Sequence, residues 1–123
     1  MYTLDTNAII YYLKGETRVV SILNKIFKGV ASVYISTITE VELFGFSNLN
    51  EEESKQIEEI LKTLAVIPLD SHVARIAGLL RRVYKLKIAD AVIAATAMFT
   101  GTALVTRNID DFKNVPNLFL KKI

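Results

Sequence analysis

Acidic side chains are the groups in this sequence that could carry chemistry, because the usual nucleophiles and bases are scarce. The 123 residues include no Cys and a single His, His72. A thiolate metal site, a Cys nucleophile, a pair of catalytic imidazoles and a His-rich zinc site are therefore excluded within one chain. His72 lies in DSHVARIAG, a pattern typical of a helix start capped by Asp70 or Ser71, so we expect it to be exposed. Carboxylates or hydroxyls must carry any reaction.

Asp90 is the acid whose position is hardest to explain as an ordinary surface charge. It is the only charged residue in the segment Ile88–Phe99, IADAVIAATAMF. A helix that is apolar nearly all round is buried, and a buried Asp must be paired or bind a metal. The alternative is a structural salt bridge, for which Arg75 and Arg107 are candidate partners.

Glu42 presents a similar problem in the segment ISTITEVELFGF. The helical stripe that contains it consists of Ile38, Val41, Glu42 and Gly45. An unpaired carboxylate buried on that apolar face costs several kcal/mol or changes its protonation, so a cation must compensate it. The spacing of Thr37 and Glu40 predicts a capping box, which would account for Glu40 without any function.

Two further acids follow apolar runs that we interpret as strands. Asp5 comes directly after Tyr2–Leu4 and precedes a helical pattern, where its alternative role is to cap that helix. Asp111 belongs to LVTRNIDDF, where its alternative role is turn chemistry.

The elements that must position these acids alternate in type along the chain. We expect strands at Tyr2–Leu4, Val33–Ile35, Ala65–Leu69, Ala103–Thr106 and Leu118–Leu120. We expect helices over about 6–13, 17–27, 37–46, 51–64, 70–84 and 88–99. This alternation predicts an α/β fold in one domain spanning residues 1–123, with a mainly parallel sheet covered on both faces. Ligands of such sheets bind beyond the carboxyl ends of the strands.

Charge is distributed unevenly between the two halves of the chain. Residues 1–62 contain 6 Lys+Arg and 9 Asp+Glu, a net −3, whereas residues 63–123 contain 9 and 4, a net +5. Arg81, Arg82, Lys85 and Lys87 all precede the Asp90 helix. They form either a solvated face or a rim that steers a polyanion toward a site.

Neither the N-terminus nor the longest apolar run of the sequence points to a membrane. The N-terminus MYTLDTN lacks the basic stretch and apolar run of a signal peptide. The segment 88–99 is shorter than the roughly 20 residues that a bilayer requires. We expect a cytoplasmic protein.

A cluster of acids at strand ends cannot persist as mutually repelling anions. With no Cys and one His available, hard carboxylate oxygens suit Mg²⁺ or Mn²⁺. A divalent cation held in this way commonly serves phosphate chemistry, because it lowers the pKa of an attacking water and neutralises transition-state charge.

The motifs YTLDTNAII, ISTITEVELFG, IADAVIAATA and LVTRNIDDF, in this order, resemble the PIN domain family. The resemblance covers essentially the whole chain and is closest to the VapC-like toxins of toxin–antitoxin pairs. It implies a three-layer α/β/α sandwich with a central parallel sheet. It also implies Mg²⁺- or Mn²⁺-dependent endonucleolytic hydrolysis of RNA that leaves a 5′-phosphate and a 3′-hydroxyl.

The resemblance assigns roles to particular residues. The first three acids of the family fall on Asp5, Glu42 and Asp90, and the fourth on Asp111, while some members carry an Asp where this chain has Asn108. It implies that Asp5 and Asp90 bind metal directly, that Glu42 completes the site or aligns the attacking water, and that Asp111 holds a second ion or acts through water. The supporting polar residues would be Thr6, Asn7, Thr106 and Asn108.

The resemblance further implies a homodimer that is silenced by a small antitoxin, often through a basic residue placed in the acidic site. Three alternatives stay open. The first is a PIN-like RNA-processing nuclease outside any toxin–antitoxin pair, and the second is an RNA-binding or assembly module with an inactive site. The third is phosphoryl transfer through an aspartyl intermediate, although such enzymes carry Asp-x-Asp where this chain has Asp5-Thr6-Asn7.

Overall fold

A computed structural model describes all residues from Met1 to Ile123, with strands and helices in alternation. The strands are β1 (Tyr2–Leu4), β2 (Val33–Ser36), β3 (Ala65–Ile67), β4 (Ala103–Thr106) and β5 (Leu120–Lys122). The helices are α1 (Thr6–Leu13), α2 (Thr17–Lys28), α3 (Thr37–Phe44), α4 (Glu51–Leu61), α5 (Ser71–Tyr84), α6 (Ile88–Thr100) and α7 (Ile109–Phe112).

All five strands lie in one sheet in the order β3-β2-β1-β4-β5, and every neighbouring pair is parallel. The predicted, mainly parallel sheet is therefore confirmed and is wholly parallel. The chain runs outward from β1 to β2 and β3, then returns to the other side of β1 to form β4 and β5. The connections thus diverge between β1 and β4, which is where a parallel sheet opens a crevice at its carboxyl edge.

Two hydrophobic cores of 13 buried residues each cover the two faces of the sheet. One core joins the sheet to α1, α2 and α4, and the other joins it to α5 and α6. The neighbouring residues Leu104 and Val105 of β4 are both fully buried but belong to opposite cores, because successive side chains of a strand point to opposite faces. The three-layer α/β/α architecture is confirmed.

Helix α6 is the buried helix that the sequence predicts. Every side chain from Ala91 to Ala97 is buried, and the helix packs against β1, β2 and β4. Gly101 ends it in the left-handed conformation at φ 67°, which a residue without Cβ adopts without strain. The first turn of α6, which carries Asp90, lies at the other end. None of the helices is both long enough and apolar enough to cross a membrane.

Several element boundaries differ from the predicted ones for local reasons. Strand β3 ends at Ile67 because Pro68 follows and has no N–H to donate to a ladder. The last strand is Leu120–Lys122 rather than 118–120, since Leu120 is the residue that pairs with Leu104. The segment Ile109–Phe112 forms a short helix instead of a simple turn, with Phe112 anchored in the core at 1% exposure.

The helix caps confirm some predictions and overturn one. Asp70 accepts a hydrogen bond from the Val73 N–H at 3.0 Å and so caps α5, and Asn50 and Glu53 form a reciprocal capping box on α4. The capping box predicted for Thr37 and Glu40 is wrong. Helix α3 is capped by Ser36, which accepts from the Ile38 N–H at 3.1 Å, and the Thr37 hydroxyl accepts instead from the Leu69 N–H at 3.0 Å.

Candidate active site at the carboxyl edge of the sheet

The carboxyl ends of β1 and β4 lie side by side and bring distant polar residues together. Asp5 follows β1, and its N–H donates to the Val105 carbonyl of β4 at 3.1 Å. This backbone bond extends the parallel pairing by one residue beyond β1. It places the Asp5 carboxyl beside Thr106, the last residue of β4.

Asp5 is almost completely buried, with 4% of its surface exposed. The Thr106 hydroxyl donates to its Oδ2 at 2.8 Å, and the Asn108 N–H donates to the Thr106 oxygen at 3.0 Å. Burial raises the pKa of Asp5 most, and the charge of Glu42 raises it further, whereas the Thr106 hydroxyl and the amides of Thr6 and Asn7 lower it. The Asp5 carboxyl is thus held in one orientation, in buried surroundings that disfavour its ionised form.

Asp5 stands at the N-cap position of α1 without acting as a cap. Its backbone is extended, at φ −69° and ψ 149°, but its side chain makes no capping hydrogen bond. The Thr6 and Asn7 amides are near enough to favour the ionised carboxylate, yet neither satisfies hydrogen-bond geometry. Helix capping therefore does not explain why an acid occupies this position.

Asp90 faces the same region from the first turn of α6. It is half-buried rather than enclosed, and its pKa is raised to about 6, first by burial and then by the charges of Asp5, Asp111 and Glu42. Lys87, three residues earlier, acts in the opposite direction on that pKa. The charge of each of the other three predicted acids therefore raises the pKa of Asp90.

Neither predicted salt-bridge partner reaches Asp90. The ion pairs of the structure join Lys62 to Glu59, Arg107 to Glu16 and Lys113 to Asp110. Arg75 is exposed and forms no ion pair. The interpretation of Asp90 as half of a structural salt bridge is wrong, and no lysine or arginine pairs with the other predicted acids either.

Glu42 was predicted to be buried on an apolar stripe of α3, and this is wrong. Its residue surface is exposed, and Val41 beside it is 65% exposed, so this face of the short helix meets solvent. The carboxylate nevertheless turns toward the site, where its Oε1 accepts a 2.7 Å hydrogen bond from the Thr6 hydroxyl. The charge of Glu42 raises the pKa of both Asp5 and Asp90.

The remaining predicted residues lie at the rim. Asp111 is exposed on α7, and its N–H donates to the Asn108 carbonyl at 3.1 Å. Asn108 is exposed, and its backbone N–H donates a hydrogen bond to the Thr106 hydroxyl. Its side chain makes no such contact with Thr106. Asn7 is half-buried in the first turn of α1, and its amide acts on Asp5.

The sole histidine takes no part in this arrangement. His72 is exposed, as predicted, and packs its ring against Phe99 with centroids 5.2 Å apart. It forms no ion pair with any acid. Any proton transfer at the site must use carboxylates, hydroxyls or water.

The chemistry of the donor set fits a hard divalent cation. The four predicted acids supply carboxylate oxygens, and the charges of neighbouring acids raise the pKa of Asp5 and of Asp90. None of the four forms an ion pair with a lysine or arginine. No three acidic or histidine side chains converge closely enough, as they stand, to hold a metal ion. The structure thus places the predicted acids close enough for their charges to interact, but not close enough for three of them to bind one metal ion.

Two contributors to the site were missed at the sequence level. Thr39 is fully buried and its hydroxyl lies 3.0 Å from that of Thr6; its position one helical turn before Glu42 could have indicated this. Arg107 pairs with Glu16 and lies over the Tyr11 ring, 4.2 Å from the centroid, which fixes the segment after β4. No sequence spacing predicts that contact.

Two further surface features are a set of unpaired basic side chains and an apolar cleft. Arg81, Arg82, Lys85 and Lys87 are exposed and form no ion pairs. A cleft of about 280 Å³ lies between α1, α3 and α4, and none of the predicted acids lines it. Its apolar lining consists of Ile10, Leu13, Leu43, Phe46, Leu49 and Ile57.

Comparison with known proteins supports the fold. The family model described as PIN domain matches residues 2–118. The chain is 31% identical over 130 residues to ribonuclease VapC2 of Rickettsia felis, covering 98% of this chain and 96% of that protein. It superposes with a TM-score of 0.85 on a chain of VapBC2 from Rickettsia felis bound to a promoter DNA fragment. The two sequences are 27% identical, and the superposition covers 99% of this chain and 98% of that chain. A toxin–antitoxin complex from Klebsiella pneumoniae gives a TM-score of 0.83 at 29% identity, with 100% of both chains covered.

Proposed function

Because this chain belongs to the PIN domain family, we propose that it is a divalent-metal-dependent endoribonuclease and the toxin of a type II toxin–antitoxin pair. The observation that carries the proposal is the group of uncompensated carboxylates at the carboxyl edge of the sheet, around the buried Asp5. Similarity to proteins named ribonuclease supports RNA as the substrate. We also propose that this activity takes place in the cytoplasm.

The role that we propose for each acid follows from its burial and its hydrogen bonds. Asp5 and Asp90, the two whose pKa burial raises, would bind Mg²⁺ or Mn²⁺ directly. Glu42 would complete the site or align the attacking water, and Asp111 would hold a second ion or act through water from the exposed rim. When bound, the cation lowers the pKa of the attacking water and neutralises charge that develops on the phosphate.

The chain's own hydroxyls would keep these carboxylates aimed. Thr106 holds one oxygen of Asp5 at 2.8 Å, which leaves the other oxygen free for a ligand. Thr6 holds Oε1 of Glu42 at 2.7 Å in the same way. A carboxylate whose orientation is fixed loses less freedom on binding, so such hydrogen bonds favour both metal affinity and alignment of the attacking water.

The test is RNA hydrolysis by the purified protein and its variants. We expect cleavage in Mg²⁺ or Mn²⁺ that stops with EDTA, leaves 5′-phosphate ends and is abolished in Asp5→Asn and Asp90→Asn. Asp110→Asn is the matched control, because Asp110 is exposed beside Asp111 and pairs only with Lys113. Equal cleavage by the parent, Asp5→Asn and Asp90→Asn would show that another nuclease or another site is responsible.

We propose that a protein partner binds in the apolar cleft between α1, α3 and α4. An amphipathic antitoxin segment would bury the cleft's apolar lining, and a basic residue on that segment would supply the counter-charge that the acids lack. Structures of toxin–antitoxin complexes among the relatives support this partner. We also propose that the toxin dimerises, and light scattering of the purified chain tests that state.

One observation favours a second candidate, an RNA-binding or assembly module with an inactive site. The acids do not converge as a closed metal-binding group in the structure. Calorimetric titration with Mn²⁺ separates the two. Binding that is lost in Asp90→Asn supports the nuclease, whereas RNA binding without any Mn²⁺ binding by the parent supports the module. Cleavage in the absence of any antitoxin partner in the neighbouring reading frame would instead indicate an RNA-processing nuclease.

A further inference from the structure

Thr39 is a fully buried polar residue on α3, with none of its surface exposed. Its Oγ1 lies 3.0 Å from Oγ1 of Thr6 on α1, and Thr6 donates to Oε1 of Glu42 at 2.7 Å. Thr39 and Glu42 are three residues apart on α3, so they lie on one side of that helix. No other side-chain hydrogen bond joins α1 to α3.

The Thr6 hydroxyl stands between two oxygens and carries one proton. In the structure it points toward both Thr39 and Glu42. A single hydroxyl proton cannot make two bonds of full strength, and the shorter bond to the charged carboxylate is the stronger one. Thr39 is the acceptor of the weaker bond, and by accepting at 3.0 Å it fixes the Thr6 hydroxyl in the orientation from which Thr6 also donates to Glu42.

Glu42 is the acid that most needs such support. Its residue surface is exposed, its side chain is long and flexible, and no cation holds it. Asp5, by contrast, is enclosed by the fold itself. Buried Thr39 fixes the rotamer of Thr6, and Thr6 in turn holds the exposed carboxylate over the site.

We propose that Thr39 is a positioning residue, which acts through Thr6 to hold Glu42 in place for metal binding and for alignment of the attacking water. The inference rests on the proposed function and deepens it by adding a residue that touches neither metal nor substrate. It predicts that the hydroxyl of Thr39 matters, and not only its volume.

Three variants test this proposal by Mn²⁺ affinity, measured calorimetrically, together with kcat and KM for RNA. Thr39→Val keeps the shape and removes the hydroxyl, and Thr39→Ser keeps the hydroxyl. Thr96→Val is the matched control, because Thr96 is equally buried but its hydroxyl donates at 2.8 Å to the Val92 carbonyl within α6. We expect Mn²⁺ binding about tenfold weaker and a lower kcat in Thr39→Val, with Thr39→Ser and Thr96→Val close to the parent.

A double-mutant cycle identifies the route of the effect. If Thr39 acts through Glu42, the substitution Thr39→Val weakens Mn²⁺ binding in the parent and has little further effect in Glu42→Gln. Additive effects would overturn the proposal, and so would parent-like Mn²⁺ binding by Thr39→Val or an equal loss in Thr39→Ser.

If Thr39→Val does not fold, Thr39→Ala removes the same hydroxyl without the branched side chain. A parent that neither binds Mn²⁺ nor cleaves RNA refutes the proposed function itself, whereas an active parent with an unaffected Thr39→Val refutes only the role of Thr39.

Discussion

Arg107 pairs with Glu16, and the contact joins the segment after β4 to the start of α2. The guanidinium also lies over the Tyr11 ring, 4.2 Å from its centroid, and Glu16 is the largest cause that raises the pKa of Arg107. These contacts engage the one arginine that is close in sequence to Thr106, so it does not neutralise the acids. Arg107 is thus paired with Glu16 and forms no ion pair with the predicted acids.

Releasing Arg107 should weaken metal binding. In Glu16→Ala the guanidinium loses its partner, and the uncompensated acids nearby become its most favourable alternative. We expect Mn²⁺ affinity to fall several-fold, as measured calorimetrically. The double variant Glu16→Ala with Arg107→Ala should recover parent-like affinity, because the competing cation is gone. Failure of the second substitution to restore binding would show that Glu16 acts through the fold of α2 instead.

The hydroxyl of Thr106 should matter more to the site than its size suggests. Thr106→Val removes the 2.8 Å hydrogen bond to Asp5 and leaves both the carboxylate and the Asn108 amide with one partner fewer. We expect Mn²⁺ affinity and kcat to fall by about 10- to 100-fold, whereas Thr106→Ser stays near the parent. An equal loss in both variants would assign the effect to packing of β4.

Much of the site could be predicted because burial and periodicity reveal acids in unusual places. Asp90 stands out as the one charge in a buried helix, and Asp5 follows the central strand of the sheet. Glu42 lies beside Thr6 and interacts with Asp5 and Asp90, but the prediction that it is buried is wrong. A helix as short as α3 shows too few turns to identify its buried face, and single exposed apolar residues such as Val41 are normal.

The remaining features depend on contacts between segments far apart in the chain. Thr106 and Asp5 are separated by 101 positions, and Arg107 and Glu16 by 91, so neither contact leaves a periodic signal. The segment Ile109–Phe112 becomes helical because Phe112 is drawn into the core, which is a tertiary effect on a stretch too short to show a helical period. The sequence therefore predicts which acids lie near one another better than it predicts the contacts that hold them in place.

Removing the charge of Asp90 should stabilise the metal-free protein at neutral pH. Its pKa is raised from 3.8 to about 6 in the folded state, so between these values the folded protein binds more protons than the unfolded chain. The free energy of unfolding therefore decreases as the pH rises from about 4 to about 6, and stays reduced above it. Asp90→Asn escapes this penalty.

We expect Asp90→Asn in EDTA at pH 7.5 to melt roughly 3 °C above the parent, a modest gain because the half-exposed carboxyl is screened by solvent. The difference should shrink toward zero at pH 4, where the parent is protonated. Added Mn²⁺ should raise the Tm of the parent and not that of the variant. A variant that melts below the parent at pH 7.5 would contradict the destabilising role of this charge. Differential scanning calorimetry supplies all of these values.

Lys87 should contribute to RNA binding more than other surface lysines. It is exposed, precedes the first turn of α6, and its charge lowers the pKa of Asp90, so it acts electrostatically on the site. A lysine in that position can contact a phosphate of the bound strand. Lys87→Gln should therefore raise KM for RNA several-fold while changing kcat less. It should also reduce the slope of log affinity against log salt by about 0.7, the contribution of one phosphate contact on a single strand.

Lys62→Gln is the control, because Lys62 pairs with Glu59 on the exposed surface in the acidic half of the chain. Identical salt slopes for the two variants would mean that the basic residues before α6 are only a solvated face, and that RNA reaches the acids by another route.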